Sequence, residues 1–436
     1  MIFKGIITRL RFRFGKKECA FFDGKDEYEL ITSEHVEQGA AVVVEGEKQG
    51  SRIAATSVIA LTEKDSQEVL QNIENSLKDK LPEGPSIVKD EMTEKLWPDI
   101  RRAALKILLA KRTGRKVLLH FHGDADGICG AFAITGLVYA KALQQNSAIY
   151  SVRDALLDIE AMGQENPLVI LLDFGSNDAS ADGLKLLKAA GIEFLVIDHH
   201  PTGEKAPENL LSPFTVGGDV SRYTAGVLAC EIAAACGMNG MKELAAIACS
   251  GDKSQVVENG PGEARKAMVL DFLAAHISFG NNLGFYKKVM AQEELFQSIA
   301  SQADESIAEA ADKAMKGMRK TEKEGVEIFS FSLENVVVKG EWPPASKITT
   351  RIFETLKGEK PLVCIGQTDR SVIIRLNDSA ATLGLSANSL AKKMVESMSD
   401  FVVGGGGHVR AGAIRVKTGF TKDVVNQLIE NIGSIK

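Results

Sequence analysis

Three aliphatic runs, at 116–122, 168–174 and 192–198, set the limits on what this chain can fold into. Each has the length of one strand. Stretches of helical pattern at 128–144, 180–190, 223–237 and 241–249 lie between and after them. Continuous apolar strands alternating with helices read as a mostly parallel sheet with helices on its faces, an α/β fold. Each run also ends in polar chemistry. The first closes on His120-Phe121-His122-Gly123-Asp124-Ala125-Asp126-Gly127, the second on Asp173, the third on Asp198-His199-His200. A fourth acid, Asp252, follows the apolar helical stretch 245–249. Open α/β sheets hold their ligands at the carboxyl ends of the strands, which is where these side chains would gather.

Bringing four or five carboxylates together costs free energy, because each raises the pKa of the others. A divalent cation removes that cost. Carboxylate oxygens with imidazoles suit Mn²⁺ or Mg²⁺. The surplus of acids points to two ions about 3.5–4 Å apart with one carboxylate between them. A lone Asp after a strand is ordinarily a helix cap, and that reading applies to Asp173 or Asp252 taken singly. Three successive strands ending in Asp, two of them beside His, are hard to obtain by capping.

The rest of the chain divides around this core. Residues 1–62 carry five short alternating runs, near 3–12, 18–22, 27–32, 40–48 and 52–60, which fit a small OB-like β-barrel or an SH3-like one. Residues 63–112 are a helical connector. Its second helix has Leu96, Ile100, Ala103, Leu105 and Leu108 on a core-facing side. Residues 113–302 form the alternating domain, 303–325 a charged, Ala-rich linker helix. Residues 326–436 form a last α/β domain, with strands expected at 326–332, 335–340, 361–367, 371–377 and 411–416 and helices at 346–357, 386–398 and 420–434.

Composition excludes whole classes. Of the 436 residues, 44% are hydrophobic and 25% charged, the balance of a globular protein rather than a disordered one. No apolar run approaches the roughly 20 residues that span a bilayer. A net charge of −6 excludes a wholly basic nucleic-acid coat but not a local basic groove. The six cysteines form no CxxC pair and read as reduced thiols in a cytoplasm.

Near the C-terminus, Gly404, Gly405, Gly406 and Gly407 precede His408, with Arg410 beyond. Such a loop, between an apolar strand and a helix, can wrap an anion with its N–H groups, although a glycine run by itself is usually a hinge. Arg375, in the alternating run 372–376, is a second candidate phosphate contact or simply an exposed strand residue.

These pieces together resemble the DHH phosphoesterase superfamily: HGDADG at 122–127, the LLDFG acid Asp173, Asp198-His199-His200, and SGD ending at Asp252. Gly405-Gly406-Gly407-His408 resembles the signature of the DHHA1 C-terminal domain. The resemblance covers about 113–436 and points within the superfamily to archaeal RecJ-like nucleases of the GINS-associated type. It implies a DHH catalytic domain at 113–302 and a smaller α/β DHHA1 substrate-binding domain at 326–436. It also implies Mn²⁺- or Mg²⁺-dependent, two-ion hydrolysis of single-stranded DNA or RNA, in a cleft between lobes too narrow for a duplex. By position, Asp124, Asp126, Asp173, His199 and Asp252 would be metal ligands and catalytic, with Asp173 bridging. The archaeal spacing assigns the ligand histidine to His122, where other branches would use His120. His200 would face the scissile phosphate and Asp198 would orient its neighbours, with His120 also behind the ligands. Gly405, Gly406, Gly407, His408, Arg410 and Arg375 would contact substrate. The resemblance leaves two alternatives: a phosphodiesterase of short oligonucleotides or cyclic dinucleotides, and a replication-fork scaffold that binds GINS. Relatives that became scaffolds lost these acids, and this chain keeps them.

The first 17 residues hold Lys4, Arg9, Arg11, Arg13, Lys16 and Lys17 and no acid. Arg9, Arg11 and Arg13 share a strand face, with Phe12 and Phe14 opposite and Phe21 and Phe22 nearby. Two readings stand: a basic stripe with exposed aromatics that stack on bases, or aromatics that fill the barrel behind solvated arginines.

Overall fold

The N-terminal strands close on themselves. In the computed structural model, which describes residues 1–13, 16–162, 167–202, 205–218, 222–277, 282–356 and 358–433, strands β1 (Ile2–Arg13), β2 (Lys16–Phe22), β3 (Glu27–Ile31), β4 (Ala41–Gln49) and β5 (Arg52–Ala60) form a closed barrel in the order β1-β2-β3-β5-β4. Arg9 and Arg11 point outward, as alternation requires. Phe21 and Phe22 do not stack on anything in solvent. Phe21 is fully buried among Ile7, Leu30, Val44 and Ile53, and Phe22 packs with Ile6 beneath the connector. A barrel this small has few aromatics to fill it, so these rings go inside. Phe14 lies outside the described residues, as do the side chains of Phe12, Arg13, Lys16 and Lys17.

The connector comprises α1 (Glu63–Lys78) and α2 (Glu91–Thr113). Asp90 caps α2 by accepting from the Thr93 N–H, and Gly114 ends it in the left-handed conformation. Its two apolar sides face different partners. Leu96, Ile100, Ala103 and Ile107 are buried along one side, while Leu105, Leu108 and Leu109 pack on the barrel cluster that contains Ile6, Phe22 and Ile73. This helix therefore joins barrel to sheet.

The alternating segment forms a five-stranded, wholly parallel sheet in the order β10-β9-β8-β6-β7. Its elements run β6 (Val117–His122), α3 (Ala125–Leu137), β7 (Lys141–Gln145), α4 (Val152–Met162), β8 (Leu168–Leu172), α5 (Ala181–Ala189), β9 (Glu193–Ile197) and β10 (Leu210–Leu211), then α6 (Ala225–Ala235), α7 (Met241–Asp252), α8 (Pro261–His276) and α9 (Leu283–Ala291). The central strand β8 is buried at every residue. Strand β7 replaces the end of the helix expected to reach residue 144. Its sequence, KALQQ, favours a helix locally, but pairing along β6 at the sheet edge overrides that preference.

The chain divides into two compact units, 1–291 and 292–436. The second begins with α10 (Glu293–Met315) and a six-stranded sheet in the order β11-β12-β13-β14-β16-β15: β11 (Arg319–Lys323), β12 (Val326–Ser332), β13 (Leu362–Gln367), β14 (Ser371–Leu376), β15 (Val402–Gly407) and β16 (Ala411–Val416). Helices α11 (Ala345–Leu356), α12 (Asp378–Thr382), α13 (Ala387–Ser397) and α14 (Thr421–Ile432) cover it. Three expectations are corrected. The linker helix stops at Met315, and 319–323 form an edge strand; the strand expected at 335–340 is irregular. The glycine run is not a loop before a helix but strand β15, paired antiparallel with β16. Among the described residues no helix is long and apolar enough to cross a membrane, and all six cysteines are free.

Candidate metal centre

Strands β6, β8 and β9 end side by side, and their last residues deliver the acids and imidazoles to one edge of the sheet. Strand β6 ends at His122. Asp124 then caps α3, its Oδ1 accepting from the Gly127 N–H at 2.9 Å. Helix α3 starts so close to the strand that a Cβ on Gly127 would overlap the His122 carbonyl oxygen. After β8 the chain turns at Asp173 with φ 66°, a left-handed conformation that costs a non-glycine residue about 1–3 kcal/mol. The turn is held by the Asp173 N–H donating to the Ile197 carbonyl at 2.8 Å. It swings the carboxylate between the histidines of the two neighbouring strands.

The resulting distances are short. His122 Nδ1 lies 2.6 Å from Asp124 Oδ2 and 3.4 Å from Asp173 Oδ2. His199 Nε2 lies 3.4 Å from Asp173 Oδ1 and 3.1 Å from Asp252 Oδ2. His200 Nδ1 is 2.8 Å from Asp198 Oδ1 and 3.8 Å from Asp173 Oδ1. Three sets of donor atoms fall within 4.8 Å of one another and could each hold a metal ion: His122, Asp124 and Asp173; Asp126, His199 and Asp252; and Asp173, His199 and His200. Asp173 belongs to two of these sets, and so does His199. The carboxylate Asp173 Oδ1 is buried without a hydrogen bond of normal length, which suits an oxygen that coordinates an ion.

Electrostatics describe the same surplus of acids. Burial and the carboxylates of Asp173 and Asp252 push Asp126 well above the usual range. Burial and Asp124 push Asp173 up. The Asp124 charge lifts His122 to about 11. Burial works against a cation at His199, but hydrogen bonding to Asp173 and Asp252 lifts it to about 12. The acids thus keep imidazolium protons where cations would otherwise balance them. Hard carboxylate oxygens with imidazoles fit divalent cations such as Mn²⁺ or Mg²⁺.

Residues around the cluster fix its members. Asp198 is buried and accepts from the N–H groups of Ser176 and His200 at 3.0 and 3.1 Å. Asp126 is held by the start of α6: the Ala225 and Gly226 N–H groups donate to its two oxygens, each at 2.9 Å. A Cβ on Gly226 would sit 2.6 Å from Asp126 Oδ1. These contributors were invisible as site residues because they act through backbone; the only signal was Thr224 as a cap before Ala225-Gly226. His120 is not among the clustered donors. It is buried, with Nε2 2.9 Å from Asp158 Oδ2 and Nδ1 3.0 Å from the Gln145 amide, while Tyr150 donates to Asp158 at 2.6 Å.

The predicted residues of the second unit are placed differently. Gly405, Gly406 and Gly407 lie in β15, and exposed His408 opens the turn to β16, its N–H donating to the Ala411 carbonyl. Arg410 is exposed beside Asp378. Arg375 is buried in β14, where Nε donates to Thr350 and Nη1 to the Ile374 carbonyl.

Residues 116–251, which hold all of the clustered donors except Asp252, match the family model "DHH family, N-terminal domain". The chain carries a DHH-family domain. It is 26% identical over 427 residues to the uncharacterized protein MJ1198 of Methanocaldococcus jannaschii, a match that takes in 81% of this chain. The chain spans about half the length of that curated relative, 56% of it. Among solved structures, a DHH domain described as a member of the s1p family of ribosomal proteins superposes with a TM-score of 0.68 at 25% identity, covering 86% of this chain and all of that one. RecJ in complex with Mn²⁺ from Thermus thermophilus shares the fold at a TM-score of 0.51 and 15% identity, covering 84% of this chain and 59% of RecJ. Residues 116–251 are thus a DHH-family domain, and the RecJ structure shares the fold around it.

Proposed function

We propose that the protein is a Mn²⁺- or Mg²⁺-dependent phosphodiesterase, a RecJ-like exonuclease of single-stranded DNA or RNA. The observation that carries this reading is Asp173: one buried carboxylate shared by two sets of potential metal ligands on a DHH domain. His122, Asp124 and Asp173 would hold one ion, and Asp126, His199, Asp252 and the shared Asp173 a second. Bound there, two divalent cations polarise a phosphoryl oxygen and make a coordinated water acidic.

This chain's own residues do the rest. Asp173 spans the two ligand sets and keeps them at a fixed spacing. Asp126, pinned by the α6 N–H groups, cannot swing away when its neighbours change charge. Asp198 ties down His200 Nδ1 and raises its pKa, which favours the imidazolium whose Nε2 proton would be offered to a phosphate oxygen or a leaving oxygen. Gly405, Gly406, Gly407, His408 and Arg410 are proposed to take a substrate phosphate through N–H groups and charge. Arg375, being buried, would act by shaping β14.

End-labelled single-stranded 20-mers and dinucleotides, of DNA and RNA, are the test. Stepwise cleavage that requires Mn²⁺ or Mg²⁺ and stops in chelator is expected. No cleavage of any of them, or cleavage unchanged in chelator, would refute the reading.

A further inference from the structure

The two ends of β6 differ in charge. Its last residues enter the acid cluster. Its first residues border a cavity of about 710 Å³, lined also by β1, the last turn of α2 and the start of β7. Seven cationic side chains line this cavity against one carboxylate, Glu27, in a chain whose net charge is −6. Arg9 and Arg11 project from one face of β1, about 7 Å apart. Lys111 and Arg112 come from α2, and Lys141 opens β7.

Local pairing leaves an excess of positive charge. Glu27 faces Arg9 at 4.0 Å and Arg112 at 3.4 Å, and Arg115 is committed to Glu193 at 2.7 Å. No ion pair of Arg11, Lys111 or Lys141 is formed among the described residues. Cations in a last helical turn complement the helix dipole, but that explains only Lys111 and Arg112, not the strand residues. At the rim stands Tyr139, 94% exposed. Clustered cations recognise phosphates, and an exposed ring beside them recognises a base; an acidic protein surface would need the first and not the second.

We propose that this cavity binds the phosphate backbone of a single-stranded nucleic acid, with Tyr139 stacked on a base. The identity of the occupant rests on the single-strand phosphodiesterase reading above. Strand β6 runs from Val117 to His122, which places the cavity about 17 Å from the acid cluster. A dinucleotide in the cluster cannot also reach the cavity, whereas a long strand can. The cavity therefore selects for length.

The test is equilibrium binding of a fluorescent 20-mer and a fluorescent dinucleotide to the full chain in chelator, across a salt series. The variants are the triple Arg11→Ala/Lys111→Ala/Lys141→Ala, Tyr139→Ala and Tyr139→Phe, each checked for an unchanged melting temperature. For the 20-mer, the triple variant is expected to bind roughly tenfold more weakly, with the slope of log K against log salt shallower by about 2. Tyr139→Ala is expected to lose roughly fivefold or more and Tyr139→Phe to bind as wild type. Unchanged 20-mer affinity and slope in the triple variant would overturn the proposal, as would equal losses in both Tyr139 variants or a wild type that does not bind the 20-mer. A wild type that binds through the cavity but never hydrolyses would refute the phosphodiesterase reading and leave the cavity assignment standing.

Discussion

The carboxyl edge and the amino edge of one parallel sheet carry opposite charge. At the carboxyl edge, β6, β8 and β9 deliver carboxylates that lie within a few ångströms of one another and are largely buried. At the amino edge, cations from β1, α2 and β7 line an open cavity. The burial differs more than the sign does. Asp126, Asp173 and Asp198 are each about 1% exposed, whereas Arg9, Arg11, Lys111 and Lys141 stand in solvent. Buried like charges need a counter-ion held in fixed geometry, which is a condition for catalysis by positioned ions. Exposed like charges are screened and keep their long side chains mobile, which suits a salt-dependent hold on a polyanion.

Substitutions separate the two edges. The largest effect is expected at Asp173, the shared carboxylate. Asp173→Asn should cut metal-dependent hydrolysis by more than about 100-fold, beyond the loss typical of an outer partner, in steady-state cleavage assays. Next comes the contrast between the two histidines of β6. His122→Ala should weaken Mn²⁺ binding by a similar factor in calorimetry. His120→Ala should keep the ion but lower unfolding free energy by about 1–3 kcal/mol, because Asp158 and Gln145 lose a hydrogen-bond partner.

A third prediction concerns pH. With no metal bound, the Asp124 charge pushes His122 up to about 11, and, against the effect of burial, hydrogen bonding to Asp173 and Asp252 pushes His199 up to about 12, which favours protonated imidazoles at neutral pH. Imidazole binds a metal only when neutral, so each must release its proton on loading. Mn²⁺ affinity should therefore rise with pH between 6 and 8, with protons released on loading, read from calorimetry in buffers of different ionisation enthalpy. The smallest effect belongs to the amino edge. Lys141→Ala should shift stability by less than about 0.5 kcal/mol in denaturant titration, since it removes only a solvated charge.

What could be read from the sequence follows a physical division. His122, Asp124, Asp173 and Asp198 were legible because strand ends place them, and strand ends show as breaks in an aliphatic run; Asp252 showed instead as the acid that closes an apolar helix. The barrel was legible from alternation, and its closed five-strand order is observed. Strand β7 was not, because KALQQ carries helix formers and becomes a strand only through pairing with β6. The grip on Asp126 was hidden because Ala225 and Gly226 contribute N–H groups, which every residue has. The glycine run reads as a loop from composition, yet pairing with β16 makes it a strand. The basic cavity could not be seen as one feature, since Arg9 and Arg11 of β1 lie about a hundred residues from the cations at 111–141 and only the fold brings them together.

The most direct measurement is a Mn²⁺ titration of the full chain, followed by electron paramagnetic resonance and calorimetry, beside Asp173→Asn. Two Mn²⁺ per wild-type chain with magnetic coupling between them, and loss of that coupling in the variant, is the predicted result. A wild type that takes up no Mn²⁺, or a variant that binds the same number of coupled ions, would contradict it.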